Sequence, residues 1–289
     1  MKVAIIGGTG KMGMLCARFL KKEGKEVVLI GRSQAKLAQV GAELKVAATT
    51  DMAAAGSADT IIISVPIDHF EDVVKDLSRH IHSDQIILDV TSLKVGPVAA
   101  MHRYIKKGQI LGTHPVFGPG AQSAAGHNFV LTPTSEAEAA LAEKVKRFLE
   151  EKGGIVSLMT PEEHDEMMAV ILGLAHFIAI VSADTLLNFK RLKQMEAVSG
   201  ITYRVLLTLV ESVLSEDPEL YASLQMSLPD LPRTEKLFQA TARSWAELVK
   251  KGDREQFISR MSALKERLER ENPDFGKAYK NMYKIAEGL

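Results

Sequence analysis

Short apolar runs alternate with amphipathic stretches over the first half of the chain, and helical periodicity takes over after about Met159. Val3–Ile6, Glu26–Ile30, Leu44–Ala48, Thr60–Val65, Gln85–Val90 and Gln109–Leu111 are apolar runs of strand length, the pattern of strands buried on both faces. Met14–Leu20, Ile67–Arg79 and Gly96–Lys106 read as the helices between them, and Asn128–Thr132, Glu136–Glu151 and Ile155–Leu158 as a closing strand, helix and strand. This alternation predicts an α/β fold, a doubly wound parallel sheet, over residues 1–158. Residues 159–289 are predicted to form an all-helical second domain.

The second half opens with a helix-start signal. Thr160 is placed to cap, Pro161 to occupy the first turn, and Glu163 stands three residues after the cap. The helix runs toward Asn188. Its segment Met167–Ala183 is almost continuously apolar, but it contains His176, precedes Asp184 and falls short of the ~20 residues that span a bilayer. The expectation is a helix buried on all sides, inside one subunit or between two. A further helix begins at Gly200 and carries Arg204 at the edge of the apolar run Val205–Val210, and Lys236–Lys250 and Glu255–Glu269 are amphipathic.

Chemistry enters first at the end of the opening strand. Gly8, Gly10 and Gly13 give the spacing G-x-G-x-x-G between a strand and a helix, the context in which that spacing signals a dinucleotide-binding, Rossmann-type turn. The first glycine is expected to make the tight turn, the second to let backbone approach a pyrophosphate and the third to let helix and strand pack. Gly8, Thr9, Gly10, Lys11, Met12 and Gly13 are thus assigned to a cofactor. After the second strand stands Gly31-Arg32-Ser33 in place of the acidic residue that binds a ribose 2′-hydroxyl. Arg32 and Ser33 suit a 2′-phosphate, which favours NADP while leaving NAD possible; the bland reading of Arg32 is an exposed surface arginine. Ser64-Val65-Pro66 ends the fourth strand, which in this topology lies beside the first, so its backbone is expected to border the nicotinamide.

The segment Leu111–Gly120 turns rich in Gly and Pro straight after Gln109–Leu111, so the backbone is expected to leave the sheet there, with His114 at the exit. Ligands of parallel α/β sheets bind at that edge, and histidine exchanges a proton near neutral pH. His114 either does so or caps a turn. Ser92, leaving the neighbouring strand, either orients the imidazole or caps a helix. Lys94 is expected to be solvated and His127 to sit on a surface loop. Glu162–Glu166 gathers carboxylates at a helix start, where the dipole alone explains them, and no metal is assigned. His164 and His176, twelve residues apart, project about 120° and roughly 18 Å from each other on one α-helix. His176 reads more readily as a satisfied core histidine than as a substrate contact.

Composition narrows the classes. Acidic and basic residues balance at 36 each, so no net field draws the chain to nucleic acid or an anionic membrane. The single cysteine, Cys16, excludes an internal disulfide, fits a reducing cytoplasm and reads as a core residue. The first residues read directly as a strand, so no secretory signal is expected.

Taken in order, the glycine turn, Asp89–Lys94, Thr113–Pro119, Glu163-His164-Asp165, Leu174–Phe177, Tyr203-Arg204 and Asp217–Ala222 resemble the prephenate and arogenate dehydrogenases of tyrosine biosynthesis. The resemblance covers almost the whole chain. It implies that His114 is the catalytic histidine, Ser92 its hydroxyl partner, His176 a substrate-site residue and Arg204 a carboxylate-binding residue. It further implies a homodimer through the helical domain and oxidative decarboxylation of prephenate to 4-hydroxyphenylpyruvate, with arogenate as the alternative substrate. His164 matches a family position without a clear role. Neither a chorismate mutase segment nor a regulatory ligand-binding domain is expected, and with them no control by an appended domain. Other readings are a different NADP oxidoreductase of this architecture and a silent NADP-sensing protein.

Overall fold

The computed structural model describes residues 1–288. Eight strands form one sheet in the order β3-β2-β1-β4-β5-β6-β7-β8. They are β1 (Lys2–Ile6), β2 (Glu26–Ile30), β3 (Ala47–Thr49), β4 (Thr60–Ile63), β5 (Ile86–Asp89), β6 (Gln109–Pro115), β7 (Asn128–Thr132) and β8 (Ile155–Leu158). All neighbours pair in parallel except β6 and β7. The helices of this half are α1 (Lys11–Lys22), α2 (Gln34–Leu44), α3 (Phe70–Leu77), α4 (Val95–Tyr104) and α5 (Glu136–Glu150).

The unbroken apolar runs have a simple cause: both faces of the sheet are covered. Val3, Ile5, Val27 and Leu29 pack with Ala17, Leu20, Leu37 and Val40 of α1 and α2. Their alternates Ala4, Ile6, Val28 and Ile30 pack on the opposite face with Phe70, Val74, Val98 and Met101 of α3 and α4. A period of two places alternate residues on opposite faces, so each run must be apolar throughout.

Several predicted boundaries move, most by one to three residues. Leu44 ends α2, and the third strand begins only at Ala47. More consequential, β6 does not leave the sheet at Leu111 but runs on to Pro115. Its parallel partner β5 stops at the register Asp89↔Gly112, whereas β7 pairs with it as far as Pro115↔Phe129. His114 therefore stands within a strand that outruns its neighbour.

By contacts, Met1–Met168 with Met226–Leu228 form one compact unit, and Ala169–Gln225 with Pro229–Leu289 a second. The first includes α6 (Pro161–Met168), whose start is a reciprocal capping box: Thr160 Oγ1 accepts from the Glu163 N–H at 3.1 Å, and a Glu163 carboxylate oxygen accepts from the Thr160 N–H at 2.8 Å. A π-helical turn, Ala169–Leu174, follows and leads into α7 (Ala175–Leu187). Counting 100° per residue from His164 to His176 therefore fails, because the π-turn adds a residue to the coil.

The second unit is helical, with α7, α8 (Leu192–Ala197), α9 (Ile201–Leu214), most of α10 (Pro218–Ser227), α11 (Leu231–Lys251), α12 (Arg254–Glu271) and α13 (Ala278–Glu287). The apolar run is not buried inside the chain as one of the two expectations had it. The helical stretch Pro161–Leu187 has 27 residues, is long and apolar enough to cross a membrane by length and composition, and is 17% buried over its most apolar window. Val170, Ile171 and Val181 are exposed, as are Leu237, Met261, Leu264 and Leu268 on α11 and α12.

Candidate active site

The turn after β1 is built by close approach. Gly7, not Gly8, takes the left-handed conformation, at φ +78°, and its N–H donates to the Ile30 carbonyl at 2.8 Å. A Cβ on Gly7 would lie 2.0 Å from the Ser64 carbonyl oxygen, so the ends of β1 and β4 touch through bare backbone. A Cβ on Gly13 would lie 2.5 Å from the Gly7 oxygen, which presses the first turn of α1 onto the loop. Gly10 caps α1 without a side-chain hydrogen bond, and no acidic residue occupies the helix's first turn. The N–H groups of Lys11, Met12 and Gly13 thus face outward from a helix N-terminus, the arrangement that cradles an anion. Thr9 flanks the turn, half-buried. Arg32 is exposed just past β2, and Ser33 caps α2, its Oγ accepting from the Lys36 N–H at 3.3 Å. As an acceptor there, the Ser33 hydroxyl keeps its own proton to donate. Ser64, Val65 and Pro66 leave the carboxyl end of β4, as their positions in the chain require.

Cys16 packs against the core beneath α1, and burial pushes its thiol up to about 11, which makes it a poor nucleophile.

His114 is 4% exposed, and its Nδ1 lies 2.8 Å from Nε2 of His164, itself fully buried. His164 Nδ1 lies 2.7 Å from Asp165 Oδ1. The Asp165 carboxylate also accepts from the backbone N–H groups of Lys94 (2.8 Å) and Val95 (2.9 Å), and so closes the N-terminus of α4. That carboxylate fills the capping place considered for Ser92. Ser92 is half-buried, and among the described residues no hydrogen bond joins it to His114.

Lys94 is the plainest departure from expectation. It is not solvated but fully buried, with Nζ ion-paired to Asp89 and donating to the Thr113 carbonyl at 2.5 Å. Thr91 accepts a place in the same cluster through its hydroxyl, 2.6 Å from Asp89 Oδ1. Burial first, then the Lys94 cation, then His164 hold the His114 imidazole well below its usual value of 6.5. It is therefore uncharged at neutral pH and able to accept a proton. His127 is half-buried rather than on open surface, its ring 4.6 Å from that of Phe117.

In the second unit, the His176 ring meets Tyr221 edge-on at 4.9 Å, and burial lowers its pKa. Its Nδ1 and the Tyr203 hydroxyl are buried with no hydrogen-bond partner among the described residues. A core histidine would be satisfied; this one is not. Arg204 is exposed on α9, with one long contact to the Ala286 carbonyl at 3.5 Å.

Two family signatures match the chain. Residues 16–158 match the family described as "Prephenate dehydrogenase, nucleotide-binding domain", and residues 160–263 the family "Prephenate dehydrogenase, dimerization domain". A "Probable arogenate/prephenate dehydrogenase" of Methanocaldococcus jannaschii is 32% identical over 90% of this chain and 59% of its own length. The chain spans about three fifths of the length of the curated relatives it matches. Among solved structures, prephenate dehydrogenase from Aquifex aeolicus, in complex with hydroxyphenyl propionate and NAD+, has the same fold at a TM-score of 0.77 and 22% identity, covering 93% of this chain and 98% of that one. Synechocystis arogenate dehydrogenase follows at a TM-score of 0.71 and 20% identity, over 91% and 97% of the two chains. Matched by the two signatures in one continuous order from residue 16 to residue 263, and by a relative 32% identical over 90% of its length, the chain belongs to the prephenate/arogenate dehydrogenase family.

Proposed function

We propose that the protein is an NADP-dependent prephenate dehydrogenase of tyrosine biosynthesis, in which His114 accepts the proton of the substrate's ring hydroxyl. The observation that carries this reading is an uncharged, buried imidazole at the carboxyl end of β6, in the same sheet as a glycine turn shaped for a dinucleotide. The bare backbone of Gly7–Gly13 and the uncapped N-terminus of α1 fit a dinucleotide: they would hold its phosphates, and Ser64, Val65 and Pro66 would border the nicotinamide. Arg32 and Ser33 would hold the 2′-phosphate. When bound, the oxidised nicotinamide supplies the hydride acceptor.

The steps balance on this chain's residues. His114 takes the hydroxyl proton as the carbinol C–H leaves as hydride, and a ring ketone forms. The C–CO2 bond then breaks, CO2 departs, and its electron pair runs through the ring to the ketone oxygen. That oxygen takes a proton back, giving a phenol. A cation clamped on the departing carboxylate would oppose its loss, since that charge vanishes in the transition state. Arg204 is therefore assigned to the side-chain carboxylate, as a bidentate partner. His176, with its unpartnered Nδ1, and Ser92, with its free hydroxyl, are assigned to the substrate's polar groups. The dimerisation signature over 160–263 supports a homodimer through the helical half, and a cytoplasmic location is part of the same reading. Arogenate is the second reading, favoured by the joint name of the Methanocaldococcus relative.

The test is absorbance at 340 nm with NADP and either substrate. Turnover is expected with prephenate, and His114→Asn is expected to lower kcat by roughly 10²- to 10⁴-fold with NADP affinity unchanged. Wild-type turnover in that variant sinks the assignment. Arg32→Ala is expected to lower NADP efficiency at least about tenfold relative to NAD, one charge-assisted contact's worth; an unchanged ratio removes Arg32 from the site.

A further inference from the structure

His164 and Asp165 are nearly inaccessible, yet the chemistry above gives neither of them a task. Their hydrogen bonds impose a direction. Asp165 receives backbone N–H donors on both oxygens, so both oxygens act as acceptors. The ring nitrogen facing Oδ1, His164 Nδ1, must then carry its proton. An uncharged ring protonated at Nδ1 has only a lone pair at Nε2. The His114 Nδ1 that faces this lone pair at 2.8 Å must in turn be the protonated one. What remains is a bare Nε2 on His114, the nitrogen that accepts a proton. Inverting any link would put a proton on that nitrogen and close the base.

We infer that Asp165 and His164 form a positioning relay that locks His114 into the tautomer with Nδ1 protonated and Nε2 open. The inference rests on the reading of His114 as proton acceptor. The relay also meets the charge that forms when His114 is protonated: the new cation faces the His164 lone pair, with the Asp165 carboxylate behind it. The nearby Lys94 cation, paired with Asp89, opposes that charge and gives the carboxylate something to offset. The anchor of the relay is rigid because Asp165 is held by the first turn of α4 rather than by solvent.

The test uses the full chain, 15N-labelled at histidine, with NADP bound. Long-range 1H–15N correlation spectra report the tautomer of His114 directly, without turnover. The wild type is expected to show a protonated Nδ1 and a bare Nε2. His164→Leu, which removes the acceptor, is expected to move His114 toward the Nε2-protonated form and to lower kcat about 10²-fold or more, with NADP affinity and substrate KM within about threefold. His164→Gln, whose amide oxygen can accept from His114, is expected to restore most of kcat. Unchanged His114 shifts and kcat in His164→Leu would overturn the relay. So would a wild-type His114 protonated at Nε2. If His164→Leu fails to bind NADP, the wild-type spectrum and the Gln variant still decide. A wild type that turns over neither prephenate nor arogenate sinks the proposed function instead, and the spectra still report whether the relay exists.

Discussion

His114 is a histidine whose surroundings remove its ordinary titration range. Burial and the Lys94 cation disfavour its charged form, so the ring stays neutral as pH falls through 6.5 and takes a proton only on the acid side of that value. The sign has a kinetic consequence. If proton acceptance by His114 limits the reaction, kcat/KM at saturating NADP is expected to hold steady from pH 8 down through 6.5, with its acid limb below that. A limb centred at or above 6.5 would mean that another group governs the step. Lys94 shows the same physics from the other side. Its pKa is lowered by burial first, while Asp89 and then Asp165 work to keep it charged. A lysine without access to water survives only with such partners. Nothing local in Leu93-Lys94-Val95 announces this, because the carboxylate and carbonyl that hold the ammonium come from β5 and β6.

At the scale of elements, close backbone contacts carry the fold's main constraint on function. Three pieces of chain meet at the glycine turn: β1, the end of β4 and the first turn of α1. Gly13→Ala places a methyl within 2.5 Å of the Gly7 oxygen and 2.9 Å of the Gly8 Cα, and backbone atoms cannot rotate aside. It is expected to cost about 1–3 kcal/mol of stability and to weaken NADP binding, measured by denaturant midpoint and nucleotide titration. An unaltered midpoint would mean the turn is looser than described. Elements of this kind were legible in the residues, because turn chemistry and helix capping are local. The strand–glycine–helix unit, the Thr160–Glu163 capping box and the strands buried on both faces all appear where their patterns place them. The length of β6 was not legible: Gly112 and Pro115 read as an exit, and only the antiparallel pairing with β7 keeps the backbone extended through His114. His164 and Asp165 were passed over for a related reason. The helix dipole already accounts for acidic residues in a first turn, and a cap given to a distant helix leaves no trace in spacing.

For the molecule as a whole, the helical half exposes more apolar side chain than an isolated chain tolerates easily. Leu187, Phe189, Leu237, Val249 and Met261 are each at least 60% exposed, and no residue of α12 is buried. Patches of this kind mark surfaces that are covered in use. If a second copy covers them, the unfolding temperature is expected to rise with protein concentration, since association adds to stability by mass action. Light scattering should report twice the chain's 31.6 kDa at micromolar concentration. A monomer with a concentration-independent midpoint would refute the homodimer.

The carboxylate of Asp165 ties two matters together that sequence signatures separate. The nucleotide-binding signature stops at residue 158, yet the compact unit around the sheet continues to Met168, and Asp165 both terminates α4 and anchors His164. A fragment ending at residue 158 would keep the Gly7–Gly13 turn and the His114 side chain. It would lose the two groups behind that imidazole and leave the leading amides of α4 without their acceptor. The stretch that the nucleotide-binding signature covers and the compact body that holds the His114–His164–Asp165 chain of hydrogen bonds are thus different lengths of the same chain.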